Sequence, residues 1–297
     1  MQAKAAIGLD VGGTRVKAVV VEDDGTVLDQ VVRESRDNGV ERWAEVAQAL
    51  VQELIRQYGE ELFVGVCAPG LAAGDERCIW NLPNRMLGIE GFVWQRFLGR
   101  SQAVPALNDG QAAILGERWL GAAAGRQNVI MLTLGTGVGG AAIVDGRLLR
   151  GARGRAGHFG HISIRDSGSL DIVGTPGSLE DAVGNQTVNR RSDGVFFDTK
   201  ELLAACRRGE SGALRVWDRM LSDLARGLVS LINVLDPDLV LLGGGISIAG
   251  DELIEGLRQR LDDWEWRPGG LRVELAFAKL GEWAGAFGAA ARAMQLC

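Results

Sequence analysis

Three glycine-rich turns follow apolar runs in this 297-residue chain: Asp10-Val-Gly-Gly-Thr14, Leu134-Gly-Thr-Gly-Val-Gly-Gly140 and Leu242-Gly-Gly-Gly245. Glycine lets a backbone turn at positive φ and come close to a ligand, so that its N–H groups can meet phosphate oxygens. The first two turns lead into strands rather than helices and lack a following Lys-Ser/Thr, which excludes a dinucleotide fingerprint and a P-loop. Any one of them alone reads as a tight hairpin turn. Together, with a carboxylate at Asp10 and hydroxyls at Thr14 and Thr136, they point to a nucleotide site. A fourth segment, Leu107-Asn-Asp-Gly110, closes a strand and opens a helix. A carboxylate there can accept a proton from an attacking hydroxyl; equally, Asn and Asp are the side chains that helices prefer as N-caps. The only two histidines, His158 and His161, share one Gly-rich loop, Gly157-His-Phe-Gly-His161. That confinement suggests a site. An HxxH pair could hold a metal, yet no Cys lies nearby.

The apolar pattern supplies a frame for these residues. Ala5 to Leu9, Val16 to Val21 and Val27 to Val32 read as strands, the last two joined through Asp23-Asp24-Gly25. Trp43, Val46, Ala47, Leu50, Val51, Leu54 and Ile55 recur at helical spacing. Strands at 63–67 and 103–107 and a helix at 110–120 follow. At Val129 the order restarts: a strand to Leu134, the glycine turn, a strand at 141–144, an Asp145-Gly146 hairpin turn and a return at 147–149. Helices are expected at 178–184, 198–207 and 213–235, then a strand at 238–242, a helix to about 263, a strand at 273–278 and a final helix from about 283. Each half thus opens strand, glycine turn, strand, Asp-Gly turn, strand. The expectation is an α/β chain of two domains related by duplication, with a cleft between them and a ligand beyond the carboxyl ends of the strands. The expected domains are 1–118, with a terminal helix at about 284–297 packing back on it, and 119–283.

Composition narrows the function classes. With 46% hydrophobic residues, 43 Gly and only 6 Pro the chain should fold. Its 32 basic and 38 acidic residues give a net charge of −6. No basic footprint for nucleic acid is present, nor one for an anionic membrane. No apolar run reaches the ~18 residues of a membrane helix, and without a charged stretch followed by an apolar one at its start no signal peptide is expected. Cys67, Cys78, Cys206 and Cys297 are far apart and form no CxxC pair, as expected of reduced, mostly buried thiols in a cytoplasmic protein. Trp80 is expected in the core, with stacking on a sugar face as the alternative, Trp264 and Trp266 in the core or at an interface, and Arg150, Arg153 and Arg155 on a solvated rim.

Taken together, the turns resemble the sugar-kinase branch of the ROK family, within the actin-like ATPase superfamily. The likeness runs from Ile7 to near the C-terminus. Asp10 to Thr14 is similar to the family's first phosphate loop, Leu132 to Gly140 to its second, Asp238 to Ile246 to its adenosine-binding segment and Gly281 to Ala290 to its closing helix segment. The resemblance implies an actin-like (ribonuclease H-like) duplicated fold with an interdomain active-site cleft. It implies ATP as donor, held by Gly12, Gly13, Thr14, Gly135, Thr136 and Gly137 at its phosphates and by Gly243, Gly244 and Gly245 at its adenosine. Mg²⁺ would sit near Asp10 through the nucleotide. Asp109 matches the catalytic base, and Asn84, Asn108, His158, His161 and Glu180 match sugar contacts.

Two departures from the family pattern stand out. His158 occupies the Glu position of Gly-Glu-x-Gly-His, exchanging a carboxylate for a ring that donates or accepts according to tautomer. Glucose is the first expected sugar, with an N-acetylhexosamine, fructose or another hexose as alternatives. The family's Cys-x-Cys-Gly-x-x-Gly-Cys zinc loop is here Asp171-Ile-Val173-Gly-Thr-Pro-Gly-Ser178, with all three cysteines changed, so no structural zinc is expected. Polyphosphate in place of ATP is a weaker alternative that follows from the same change. The resemblance also implies a homodimer. A non-catalytic sugar-sensing protein is the rival from another class. Against it, no N-terminal DNA-binding domain is expected before a first loop at residue 10, and Asp109 and both phosphate loops are retained.

Overall fold

The computed structural model describes residues 4–35 and 42–296, so Cys297 lies outside the described residues. In chain order the elements are β1 (Ala5–Val11), β2 (Arg15–Glu22), β3 (Val27–Glu34), α1 (Arg42–Tyr58), β4 (Phe63–Ala68), β5 (Leu71–Ala72), β6 (Ile79–Asn81), α2 (Trp94–Phe97), β7 (Ala106–Asn108), α3 (Asp109–Leu120), β8 (Val129–Leu134), β9 (Val138–Val144), β10 (Arg147–Leu148), α4 (Leu179–Val183), α5 (Val188–Arg191), α6 (Thr199–Arg207), α7 (Ser211–Leu235), β11 (Leu239–Gly243), α8 (Asp251–Trp264), β12 (Glu274–Phe277) and α9 (Ala284–Ala293). Two five-stranded sheets have the orders β3-β2-β1-β4-β7 and β10-β9-β8-β11-β12. The chain divides into two compact units. Unit 1 is Met1–Gly125, Arg147–Ala156 and Lys279–Cys297; unit 2 is Arg126–Gly146 and Gly157–Ala278.

In unit 1, β1 pairs antiparallel with β2 and parallel with β4, which pairs parallel with β7. Successive side chains of β1 face opposite ways. Ile7, Leu9 and Val11 join a core with Trp43, Ala47, Leu50 and Leu54 of α1. On the other face, Ala6 packs with Ala286, Phe287 and Ala290 of α9. Gly8, Gly65 and Gly116 let α9 sit directly on β1, β4 and α3, since a Cβ at any of them would collide with an α9 carbonyl. Glu117 of α3 is fully buried. Its Oε1 accepts the N–H groups of Lys279 (2.8 Å) and Leu280 (2.7 Å), and its Oε2 that of Ala122 (2.8 Å). One carboxylate thereby anchors the segment that leads into α9.

In unit 2, β8 pairs antiparallel with β9 and parallel with β11, which pairs parallel with β12. Helix α7 buries Trp217, Leu221, Leu224 and Leu228 along one stripe, and Gly227 on it receives Leu179 of α4. Among the described residues, no helix is long and apolar enough to cross a membrane. Cys67 is buried, while Cys78 and Cys206 are only half-buried, and all three are free.

The expectation that Trp80 lies in the core needs correction. β6 forms a two-stranded sheet with β5, and its pleat turns Ile79 inward and leaves Trp80 44% exposed. Trp264 and Trp266 lie outside the core, at 39% and 73% exposure, which removes the core half of their expectation and leaves the interface half. The Arg226 guanidinium covers the Trp264 ring at 5.6 Å and takes the place of core neighbours.

Candidate active site

Unit 1 gathers its candidates at the carboxyl ends of three neighbouring parallel strands. Asp10 is in register with Cys67, and Ala68 with Asn108, so β1, β4 and β7 bring Asp10 and Asp109 to one edge. Helix α3 begins there. Its N-cap is Asn108, whose Oδ1 accepts from Gly110 N (2.9 Å) and Gln111 N (3.2 Å), while its Nδ2 donates to Gly70 O (2.9 Å). A cap of this kind is worth about 0.5–2 kcal/mol. Asn108 does the capping, while Asp109 Oδ1 accepts from Gly110 N (2.7 Å) and its carboxylate also interacts with the Asn108 side chain. Asp109 keeps solvent-accessible surface even though protein surrounds it densely. Accessibility decides whether a substrate can reach the carboxylate, and the surrounding density decides its proton affinity. That desolvation, then the Asp10 charge, raises its pKa from 3.8 to about 6 against the pull of Gly110 N–H and Arg85. Burial, then the Asp10 and Asp109 charges, push the Cys67 thiol well up and keep it inert.

Asp10 is itself raised by burial, offset in part by Lys17, which stands opposite it on β2 at 3.6 Å. Lys17 also donates to Glu282 O (2.9 Å). Gly285 follows close by, where a Cβ would lie 2.9 Å from Cys67 Sγ and 3.7 Å from Asp10 Cγ, so this position of α9 has no room for a side chain. A cavity of about 680 Å³ opens here, lined by Asp10, Gly12, Thr14, Arg15, Lys17 and Glu34. Asn84 sits on an exposed loop at φ 62°, a left-handed conformation that Asn tolerates better than most residues. Nothing in the described structure binds its side chain to the Asp10–Asp109 edge.

Unit 2 assembles the other two glycine turns side by side. β8 and β11 run parallel with Thr133 opposite Gly243, and Gly244 (φ 87°) seats its backbone against that of Leu134. The hairpin bonds take up the Gly12 N–H (to Arg15 O) in unit 1 and the Gly135 N–H (to Gly137 O) here, both at 2.9 Å. The amides open to a ligand are those of Gly13, Thr14, Thr136 and Gly137, with Thr14 and Thr136 both exposed. Gly245 likewise has open space at its Cβ position.

Strand β9 is the platform for the candidate sugar contacts of unit 2. Gly160 packs against Val138 and Gly140 against Phe159 and Gly157, which holds the 157–161 loop on the strand. Glu180, buried on α4, accepts Val138 N through Oε2 (3.0 Å) and leaves Oε1 buried without a partner. His158 Nε2 is likewise buried and unpartnered, and burial, then His161, holds its pKa below 6.5, so the ring is neutral at pH 7. Buried polar atoms are rarely left unpaired in native folds, so these two point to a ligand that supplies the missing partners. His161 instead has one, with Nδ1 at 2.9 Å from Asp171 Oδ2. Asp171 Oδ1 accepts Val173 N (3.0 Å) and Thr175 N (2.9 Å). Burial would raise the Asp171 pKa, but these N–H groups, His161 and the Ser178 hydroxyl together hold it below 3.8.

A zinc ion does not fit this loop. Of the changed cysteine positions, Asp171 carries the hydrogen-bond network, Val173 offers only its amide and Ser178 caps α4 at Asp181 N (3.2 Å). No cluster of three or more His, Cys, Asp or Glu able to hold a metal occurs among the described residues.

Sequence reasoning missed one charged group. Glu76, buried at φ 58°, pairs with Arg150 and with Arg292 Nε (2.9 Å), so Arg150 is tied to unit 1 rather than solvated on a rim. Only the positive charge of Arg150 was visible in the sequence; a partner 74 positions away carries no local signal.

A sequence model described as the ROK family matches residues 6–295. The chain is 33% identical to the glucokinase of Thermotoga maritima, over 96% of this chain and 95% of that one. Among solved structures it resembles the ROK hexokinase of Thermus thermophilus (33% identity, TM-score 0.84, 98% of both chains). It also resembles a ROK family glucokinase from Streptomyces griseus in complex with glucose and AMPPNP (28% identity, TM-score 0.78, 98% of this chain and 99% of that one). Its α/β fold is that of these actin-like kinases, and the chain belongs to the ROK family, in its sugar-kinase branch.

Proposed function

We propose that this chain transfers the γ-phosphoryl group of ATP to the primary hydroxyl of a hexose, with Asp109 as general base and glucose as the first substrate. One observation carries the reading: Asn108 caps α3, which leaves the Asp109 carboxylate accessible and raised to about 6 at the strand edge it shares with Asp10. At neutral pH it is ionised but still a better base than an ordinary carboxylate. The sugar oxygen attacks Pγ, its proton passes to Asp109, and the bond from Pγ to the β-phosphate bridging oxygen breaks to release ADP. Unit 1 supplies the base and the amides of Gly13 and Thr14. Unit 2 supplies the amides of Thr136 and Gly137, the glycines 243–245 for the adenosine, and the hydrogen-bonding atoms of His158, His161 and Glu180 for the sugar. Asn84 and the remaining N–H of Asn108 complete the proposed sugar contacts. Mg²⁺ would supply charge neutralisation to the nucleotide phosphates, and Asp10 is the hard oxygen donor in the first-loop cavity that fits it. The reading includes a cytoplasmic homodimer.

His158 favours a second reading of the acceptor. A neutral imidazole nitrogen in the place of a carboxylate offers one bond where two were possible, which suits an N-acetylhexosamine, fructose or another hexose. ADP release with Mg-ATP, measured across hexoses and N-acetylhexosamines for the wild type and His158→Glu, tests both. Turnover with one sugar, shifted toward glucose in the variant, is expected. Silence across the panel while sugar still binds by calorimetry would overturn the catalytic reading.

A further inference from the structure

Unit 2 holds a cavity of about 640 Å³ that none of the proposed substrate or nucleotide residues lines. Five arginines line it: Arg165, Arg190, Arg191, Arg215 and Arg219. In a chain of net charge −6 this is a local inversion of sign. Their neutralisation is incomplete. Arg190 pairs with Asp181, and Arg165 shares the buried Asp223 with Arg226, while the lining carboxylate of Glu210 is taken by Arg208 (2.7 Å). Arg215 and Arg219 are exposed and have no acidic partner among the described residues. They stand four residues apart on α7, where like charges face each other and destabilise the helix. Arg191 bonds only to neutral acceptors: Thr187 Oγ1 (3.0 Å), Val183 O (3.2 Å) and Gly184 O (3.1 Å). Burial, with Arg165 and Arg190 adding to it, draws its pKa down to about 10 despite Asp223 and Asp181.

Three cations are therefore left against one lining carboxylate, Asp193, an excess that matches a dianion. Guanidinium forks fit phosphate oxygens two at a time, and Val195, Phe196 and Val216 give the cavity an apolar wall for an organic moiety. We infer that this cavity is a second anion site, taking inorganic phosphate or a phosphate monoester such as a sugar phosphate. The site has a route to the second glycine loop. Arg191 holds Gly184 O, and the next two amides, Asn185 N and Gln186 N, hold Gly135 O and Thr136 O at 2.9 Å. An anion that engages Arg191 thus bears on the backbone of that loop, which makes the site regulatory. The regulatory role rests on the proposed function; the binding does not.

The test fills the transfer site of the full chain with sugar and a non-hydrolysable ATP analogue, then titrates inorganic phosphate and a hexose 6-phosphate by calorimetry. One further site for at least one of them is expected. Binding should weaken by roughly 10-fold or more in Arg215→Gln/Arg219→Gln, since losing one charge-assisted hydrogen bond already costs about that factor. Most of it should return in Arg215→Lys/Arg219→Lys. Equal affinity for the two anions identifies the phosphate as the recognised group, and preference for the ester identifies a site for product. Because the readout is binding, it stands whether or not the chain turns over a given sugar. Absence of any further site in the wild type, or equal binding by the glutamine variant at unchanged helical content, would overturn the inference.

Discussion

The raised pKa of Asp109 has a direct kinetic consequence. A general base works only when deprotonated, and kcat/KM reports its ionisation in the free enzyme. With a pKa of about 6, about nine-tenths of Asp109 is ionised at pH 7 and about one-tenth at pH 5, so kcat/KM should fall roughly 10-fold over that range. At the ordinary value of 3.8 about 94% would remain ionised at pH 5, and the fall would be under roughly 10%. Two neighbours shift the acid limb in opposite directions. Asp10 raises the pKa and Arg85 lowers it, so Asp10→Asn should move the limb to lower pH and Arg85→Gln to higher pH. Asp10 also faces the proposed nucleotide site, so its variant is read by where the limb lies and not by its height. The assay is ADP release at sub-saturating sugar and saturating Mg-ATP in buffers of constant ionic strength. A limb near pH 4 in the wild type, or one that neither substitution moves, would refute the assignment of base and cause.

Two structural predictions accompany this one. Asp171→Ala removes the acceptor of Val173 N and Thr175 N and the partner of His161; it should cost about 1–3 kcal/mol in urea unfolding and raise the sugar KM more than it lowers kcat. A zinc-selective chelator should change neither parameter in the wild type; loss of activity on chelation, restored by zinc, would contradict the hydrogen-bonded loop. Glu117→Ala strands three backbone N–H groups at a fully buried site, at a cost of about 3–5 kcal/mol. Glu117→Gln, which keeps one acceptor oxygen, should lose less, and a cost below about 1 kcal/mol for the alanine variant would show that the anchor is dispensable.

What the sequence made legible was whatever local pattern determines. The glycine turns with their flanking strands and the long amphipathic helix at Trp43 follow from period and turn chemistry, and the structure has β1–β2, β8–β9 and α1 there. Element ends shifted where short-range rules compete. The glycines 243–245 lead first into a single tight turn, Gly245–Ala249, before α8 begins at Asp251. At the head of α3, Asn and Asp both suit the cap, and only the folded geometry, with Asn108 Oδ1 on Gly110 N and Gln111 N and its Nδ2 held by Gly70 O, shows which of them caps and which is left accessible. Trp80 was misjudged because burial depends on whether another layer covers the outer face of a two-stranded hairpin, which β-periodicity does not reveal. The bonds from Glu76 to Arg150 and Arg292 and from His161 to Asp171 join residues by side-chain chemistry that no spacing encodes. The glycines at 8, 65 and 116 show the same limit: each is unremarkable alone, and their shared purpose is visible only once α9 lies on them.

The central claim is that Asp109 accepts the proton of the attacking hydroxyl, and Asp109→Asn tests it most directly. The amide keeps the size and removes the base. Because the fold raises this pKa, it favours the protonated form, and above about pH 6 the ionised carboxylate lowers stability; a neutral amide should leave Tm at pH 7 unchanged or higher. Turnover with the best sugar should drop by ~10²–10⁴-fold, while calorimetry shows sugar and nucleotide binding retained. Turnover within a few-fold of wild type in a folded, substrate-binding variant would contradict the assignment.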